Sequence, residues 1–146
     1  MDSFFIAKSL FKFVAMKLTL GKQERLKSRK LIEKLFLDGK SVKNFPLRMV
    51  FLQTSHTSLF PIQAAFSVPK RNFKRAVDRN RIKRLLRETY RLQKEIVYSK
   101  VEKPTICMIS YIGKEELSYE ILFSKMTHLL NLLIKETTKN DEKPHI

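Results

Sequence analysis

Between Lys70 and Lys94 the chain sets eleven Lys and Arg side chains against two acids, Asp78 and Glu88. That segment alone holds more than half of the protein's net charge of +16. At its centre stands Arg79-Asn80-Arg81-Ile82-Lys83-Arg84-Leu85. A guanidinium fork grips phosphate oxygens two at a time, an ammonium acts as a point charge, and each neutralised phosphate releases counterions. The chemistry open to such a run is the holding of a polyanion. Asn80 can add a contact to a base edge or a ribose hydroxyl, or stand as a solvated helix residue.

On a helical wheel with Ile82 at zero, Leu85, Leu86, Thr89, Leu92, Gln93 and Ile96 join Ile82 in one stripe, from about 280° to about 40°. Arg79, Asn80, Lys83, Arg84, Arg87, Arg91 and Lys94 occupy the other side, from about 60° to about 200°. Like charges at i, i+4 (Arg79/Lys83, Lys83/Arg87, Arg87/Arg91) repel by about 0.2–0.5 kcal/mol per pair. Phosphates reverse the sign of that repulsion. The pattern therefore predicts a helix with one buried and one phosphate-facing side, starting between Asn72 and Ala76 and running to about Ile96.

The elements that must position this helix follow from periodicity. Ser28 can cap a short helix carrying Leu31, Ile32, Leu35 and Phe36, with Gly39 as its stop. Residues 47–52 and 62–68 read as strands joined by a polar loop, of a length that suits an antiparallel pair. Pro69 closes the second. After Pro104, residues 105–112 are nearly continuous in apolar side chains, as in a central strand. Ser118 can cap a last helix with a stripe of Leu122, Met126, Leu129, Leu130 and Leu133. The predicted order is α-β-β-α-β-α, a single-domain α+β sandwich from Met16 to residue 138. Residues 139–146 read as a polar tail, and residues 1–15 as a Phe-rich extension preceding Met16 as the expected initiator.

Composition removes several classes. The 146 residues, 43% of them apolar, suit one domain. A pI near 10 points to nucleic acid or, as the lesser alternative, an acidic membrane surface. The single Cys107 leaves no disulfide framework and no zinc spacing, in keeping with a reducing, cytoplasmic setting. His56, His128 and His145 are far apart, and no metal site on the protein is expected. Clustered carboxylates of the kind that hold catalytic Mg²⁺ are missing; Glu115-Glu116 is the only acidic doublet between Met16 and the tail. A protein-only nuclease is thus disfavoured, while a generic basic RNA-binding or ribosome-associated protein stays open.

The string Ser67-Val68-Pro69-Lys70-Arg71, followed by Arg75-Ala76-Val77-Asp78-Arg79-Asn80-Arg81-Ile82-Lys83-Arg84-Leu85-Leu86-Arg87-Glu88, resembles the signature of the protein subunit of bacterial ribonuclease P. Leu35-Phe36 and Gly39 resemble that family's first helix and turn, and the likeness spans about residues 17–135. It implies a small basic partner of a catalytic RNA that removes the 5′ leader from precursor tRNA, with the chemistry in the RNA and no catalytic residue on the protein. Its implied partners are that RNA and precursor tRNA, with no membrane and no obligate protein partner. Mg²⁺ would be bound mainly by the RNA subunit and substrate.

The likeness further implies that Arg75, Arg79, Asn80, Arg81, Lys83, Arg84, Arg87 and Arg91 contact the RNA subunit. A leader-binding cleft would use Ile32, Phe36, Val50, Phe51, Lys70 and Arg71; for Ile32 and Phe36, simple core packing is the competing reading, and for Ile32 the favoured one. The loop 113–118 would be a weaker metal- or RNA-associated region. The implied fold is ribosomal protein S5 domain 2-like, with strands 62–68 and 105–112 parallel across a left-handed crossover. Three departures from the family pattern are Ile32 where many relatives carry an aromatic, which implies weaker leader stacking, Ala65 in place of a common strand glycine, and Asn72-Phe73-Lys74 without any glycine.

Overall fold

The structure, a computed structural model, describes residues 19–142, with side chains to residue 139. The expected extension 1–15 and the Met16 start lie outside the described residues. A single 3-10 turn, Lys22–Glu24, leads into helix α1 (Arg29–Asp38). Three strands follow, β1 (Lys40–Asn44), β2 (Leu47–Gln53) and β3 (Ile62–Ser67). Then come helix α2 (Ala76–Tyr98), strand β4 (Thr105–Tyr111) and helix α3 (Tyr119–Glu142). Helix α3 thus passes Lys139, where the sequence predicts a tail to begin.

The four strands form one mixed sheet in the order β1-β2-β4-β3. β4 is central, as its apolar run predicts: it pairs antiparallel with β2 and parallel with β3. The predicted hairpin between 47–52 and 62–68 does not form. Those strands run in opposite directions, but β4 inserts between them, so each makes its ladder with β4. The polar loop suggested a direct pairing because loop length carries no information about a strand arriving forty residues later. β1, mostly polar and exposed, was also not expected; it is an edge strand held to β2 from Lys40↔Phe51 to Asn44↔Leu47.

Alternation divides the sheet into two faces. Leu47, Met49, Phe51, Cys107, Ile109 and Tyr111 pack under α2 and α3 in the main core. Val50, Leu52, Ala65, Ile106 and Met108 face the other way, where Leu31, Ile32 and Leu35 of α1 and Leu26 cover part of them. Ser28 caps α1 by accepting from the Leu31 N–H at 3.3 Å. Gly39 ends the helix at a close approach: a Cβ there would collide with the Leu35 carbonyl oxygen and lie 2.8 Å from Val50 Cγ1. Gly39→Ala is therefore expected to destabilise the fold by about 1–3 kcal/mol, read from a urea titration. A change within error would show that the α1–β1 corner yields freely.

Candidate nucleic-acid interface

Helix α2 lies on the main core through Ile82, Leu86, Thr89, Tyr90, Gln93, Val97 and Tyr98. Asn80, Arg84 and Arg87 are exposed and Lys83 is half-buried, so the outward face carries three cations around an asparagine, and Arg75 is exposed just ahead of the helix. Three consecutive residues of a helix point about 100° apart, and the Arg79-Asn80-Arg81 core is splayed accordingly. Arg79 turns back and donates to the Phe73 and Lys74 carbonyls, both at 2.8 Å, which fastens the loop ahead of the helix. Asn80 faces outward. Arg81 leans to the opposite flank and bonds Asp78 at 2.8 Å and Glu116 of the β4–α3 loop.

Hydrogen bonding to Glu116, then to Asp78, raises the Arg81 pKa further above its ordinary value. Arg91 pairs with Glu88 and so is partly neutralised; the same bond lowers the Glu88 pKa. Arg75 stands 3.8 Å from Asp78 with most of its side chain in solvent. Of the predicted cationic side, Asn80, Lys83, Arg84 and Arg87 remain together as the face presented outward. Arg79 and Arg81 hold neighbouring loops.

Lys94 departs from the wheel. It is 1% exposed, and its Nζ lies 2.6 Å from Glu24 Oε1, an acid that is 2% exposed. The Tyr98 hydroxyl is 3.0 Å from the same oxygen, and the Tyr90 hydroxyl donates to Tyr98 at 3.3 Å. Desolvation raises the pKa of both tyrosines well above the ordinary phenol value. The segment from Thr19 to Glu24 lies over this flank of α2, and Lys94 also donates to the Thr19 carbonyl. A wheel drawn for one helix cannot register a segment laid across it from elsewhere in the chain.

On the other sheet face, the predicted cleft residues separate. Phe36 is 59% exposed on one flank of α1, and Ile32 is half-buried against the sheet, so it belongs in part to the small core. Val50 is half-exposed on the sheet face that α1 partly covers. Phe51 is a correction: one residue on, it points to the opposite face and is 2% exposed in the main core. Lys70 and Arg71 are exposed in the turn after β3. Register adds residues the sequence reading missed: Val50 stands opposite Met108, which stands opposite Ala65, and the next row is Arg48, Ser110 and Ser67. The alternation within 105–111 held that signal, masked by its nearly unbroken hydrophobicity.

The loop 113–118 closes an apolar cleft of about 570 Å³ with Phe45, Pro46, Tyr111 and Ile121 in its lining. Glu116 there is bound to Arg81, and among the described residues no three His, Cys, Asp or Glu side chains converge. Burial pushes the Cys107 thiol up to about 12, which keeps it protonated and inert. Among the described residues no helix is long and apolar enough to cross a membrane.

A cationic helix face and, across the sheet, a half-covered apolar face with an exposed phenylalanine define an α+β protein with a surface suited to a polyanion. The family model "Ribonuclease P" matches residues 20–133. The Ribonuclease P protein component of Chlorobium phaeobacteroides is 35% identical over 134 residues, covering 82% of this chain and 92% of that protein. That of Porphyromonas gingivalis W83 is 44% identical over 78 residues, covering 53% of this chain. The chain spans only 57% of the length of that relative. The Staphylococcus aureus RNase P protein structure superposes with a TM-score of 0.62 at 20% identity, over 75% of this chain and 94% of that one. The Thermotoga maritima protein gives 0.60 at 23%, over 73% and 94%. The chain belongs to the ribonuclease P protein family.

Proposed function

We propose that this chain is the RNA-binding protein subunit of a ribonuclease P, which with a catalytic RNA promotes endonucleolytic removal of the 5′ leader from precursor tRNA. The observation that carries the reading is the two-sided build. One side of the sheet bears α2 with Asn80, Lys83, Arg84 and Arg87 outward, suited to phosphates of a folded RNA. The other bears α1 with its exposed Phe36 and the half-exposed row of Val50, Met108 and Ala65, apolar groups suited to unstacked bases of a single strand. Catalysis belongs to the RNA, and Mg²⁺ is held mainly by the RNA subunit and substrate. The setting is cytoplasmic, with no obligate protein partner. The parallel β3–β4 pair bridged by α2 agrees with a ribosomal protein S5 domain 2-like topology, for which a left-handed crossover is the proposed hand.

Reconstitution tests the assignment. Added to a ribonuclease P RNA, the protein is expected to lower the Mg²⁺ and salt needed for precursor-tRNA cleavage. A generic RNA-binding protein would bind without that shift, and its absence would sink the reading. Phe36→Ala is expected to weaken binding of leader-bearing precursor by about 1–3 kcal/mol while sparing mature tRNA. Equal loss for both substrates would assign Phe36 to some other contact.

A further inference from the structure

The 3-10 turn, the start of α1 and the β2–β3 loop enclose a second cleft, of about 540 Å³, on the flank of α1 away from Phe36. Lys34, on that flank, reaches across to Thr54 Oγ1 at 2.9 Å. Four exposed cations line the cleft, Lys22, Arg25, Lys27 and Lys30, together with the hydroxyl-bearing Ser55 and Thr57; no acid is among the lining residues. Its walls are fastened to each other. Ser58 Oγ donates to the Gln23 carbonyl at 2.6 Å, Gln63 Nε2 donates to the same oxygen at 3.3 Å, and Arg25 bridges to Ala64. His56 folds the loop, its Nδ1 accepting from the Ser58 N–H and its Nε2 bonding the Pro61 carbonyl. Burial lowers the His56 pKa, against the opposing pull of its bond to the Pro61 carbonyl.

Glu24 lies within this basic run but does not neutralise it. Its carboxylate points inward to Lys94, Tyr98 and the Gly21 N–H. Four like charges on the cleft, with Glu24 withdrawn and no acid in the lining, repel one another until an anion enters. The opening also meets the N-terminal end of α1, whose dipole adds positive potential.

We propose that this cleft is a second phosphate site, binding a phosphodiester of RNA independently of the α2 face. The inference rests on the RNA-binding reading of the chain. The anion can come from the RNA subunit or from the substrate's leader, and the test separates the two. The full-length double variant Arg25→Gln/Lys30→Gln is compared with wild type and with Arg84→Ala. Binding to ribonuclease P RNA alone, and holoenzyme binding to precursor and mature tRNA, are each followed against salt.

The double variant is expected to reduce the slope of log affinity against log salt by about one. A loss with RNA alone assigns the site to the RNA subunit; a loss confined to precursor tRNA assigns it to the leader. Inorganic pyrophosphate is expected to raise the melting temperature of wild type more than that of the variant. Lys22→Gln/Lys27→Gln serves if the first pair fails to fold. Unchanged slopes in the cleft variants, with Arg84→Ala still effective, overturn the second site and leave the RNA reading standing. Unchanged slopes in all of them overturn both.

Discussion

Glu24→Gln or Lys94→Met is expected to lower folding stability by about 3–5 kcal/mol, because either change leaves a buried charge without its counter-ion. Against the ~5–15 kcal/mol that holds a domain of this size together, that is a large fraction. The two groups meet at 2.6 Å with both side chains 2% exposed, and Tyr98, Gly21 and Thr19 complete their hydrogen bonding. The pair ties the N-terminal turn to the far half of α2. The double variant Glu24→Met/Lys94→Met removes both charges, and its loss is expected to be well below the sum of the singles. Urea midpoints for the three variants check this. Single-variant losses under 1 kcal/mol would show that water reaches the pair. Each single variant is also expected to loosen the Lys22–Arg25 wall of the second cleft, so its RNA affinity must be compared under folded conditions.

Much of this architecture was legible in the chain, and the exceptions share a cause. Ser28, Gly39 and the 3.6-residue stripe placed α1, and Ser118 placed the start of α3, because caps and periodicity are local signals. Strand β4 announced itself through its apolar run. The β2–β3 pairing, the orientation of Lys94 and the bonds of Arg79 and Arg81 are decided by segments distant in sequence. β4 separates two strands that look like neighbours. Residues 19–24 bury Lys94, and Glu116 draws Arg81 off the face that the motif suggests. Phe51 failed for a simpler reason: strand residues alternate, and Val50 and Phe51 cannot line the same face. The resemblance supplied the parallel β3–β4 pair, which no periodicity could have given.

Arg84→Ala/Arg87→Ala is expected to weaken binding to a ribonuclease P RNA by about ten-fold or more per residue, since a charge-assisted hydrogen bond contributes about 1.5–3 kcal/mol. The salt slope is expected to flatten by about two, one unit for each lost phosphate contact. These two are chosen over Arg79 and Arg81 because both are exposed on the outward face, whereas Arg79 fastens the 73–74 loop and Arg81 is held by Asp78 and Glu116. Substituting Arg79 or Arg81 would confuse lost RNA contacts with loosened loops. Arg87 has like charges four residues to either side, Lys83 and Arg91, and alanine favours helix. The Arg87 change is thus expected to leave the melting temperature unchanged or slightly higher while RNA binding falls. That opposition separates a binding role from a structural one: a residue serving the fold would lose both together. An unchanged salt slope in the double variant would mean that α2 presents this face to something other than phosphate.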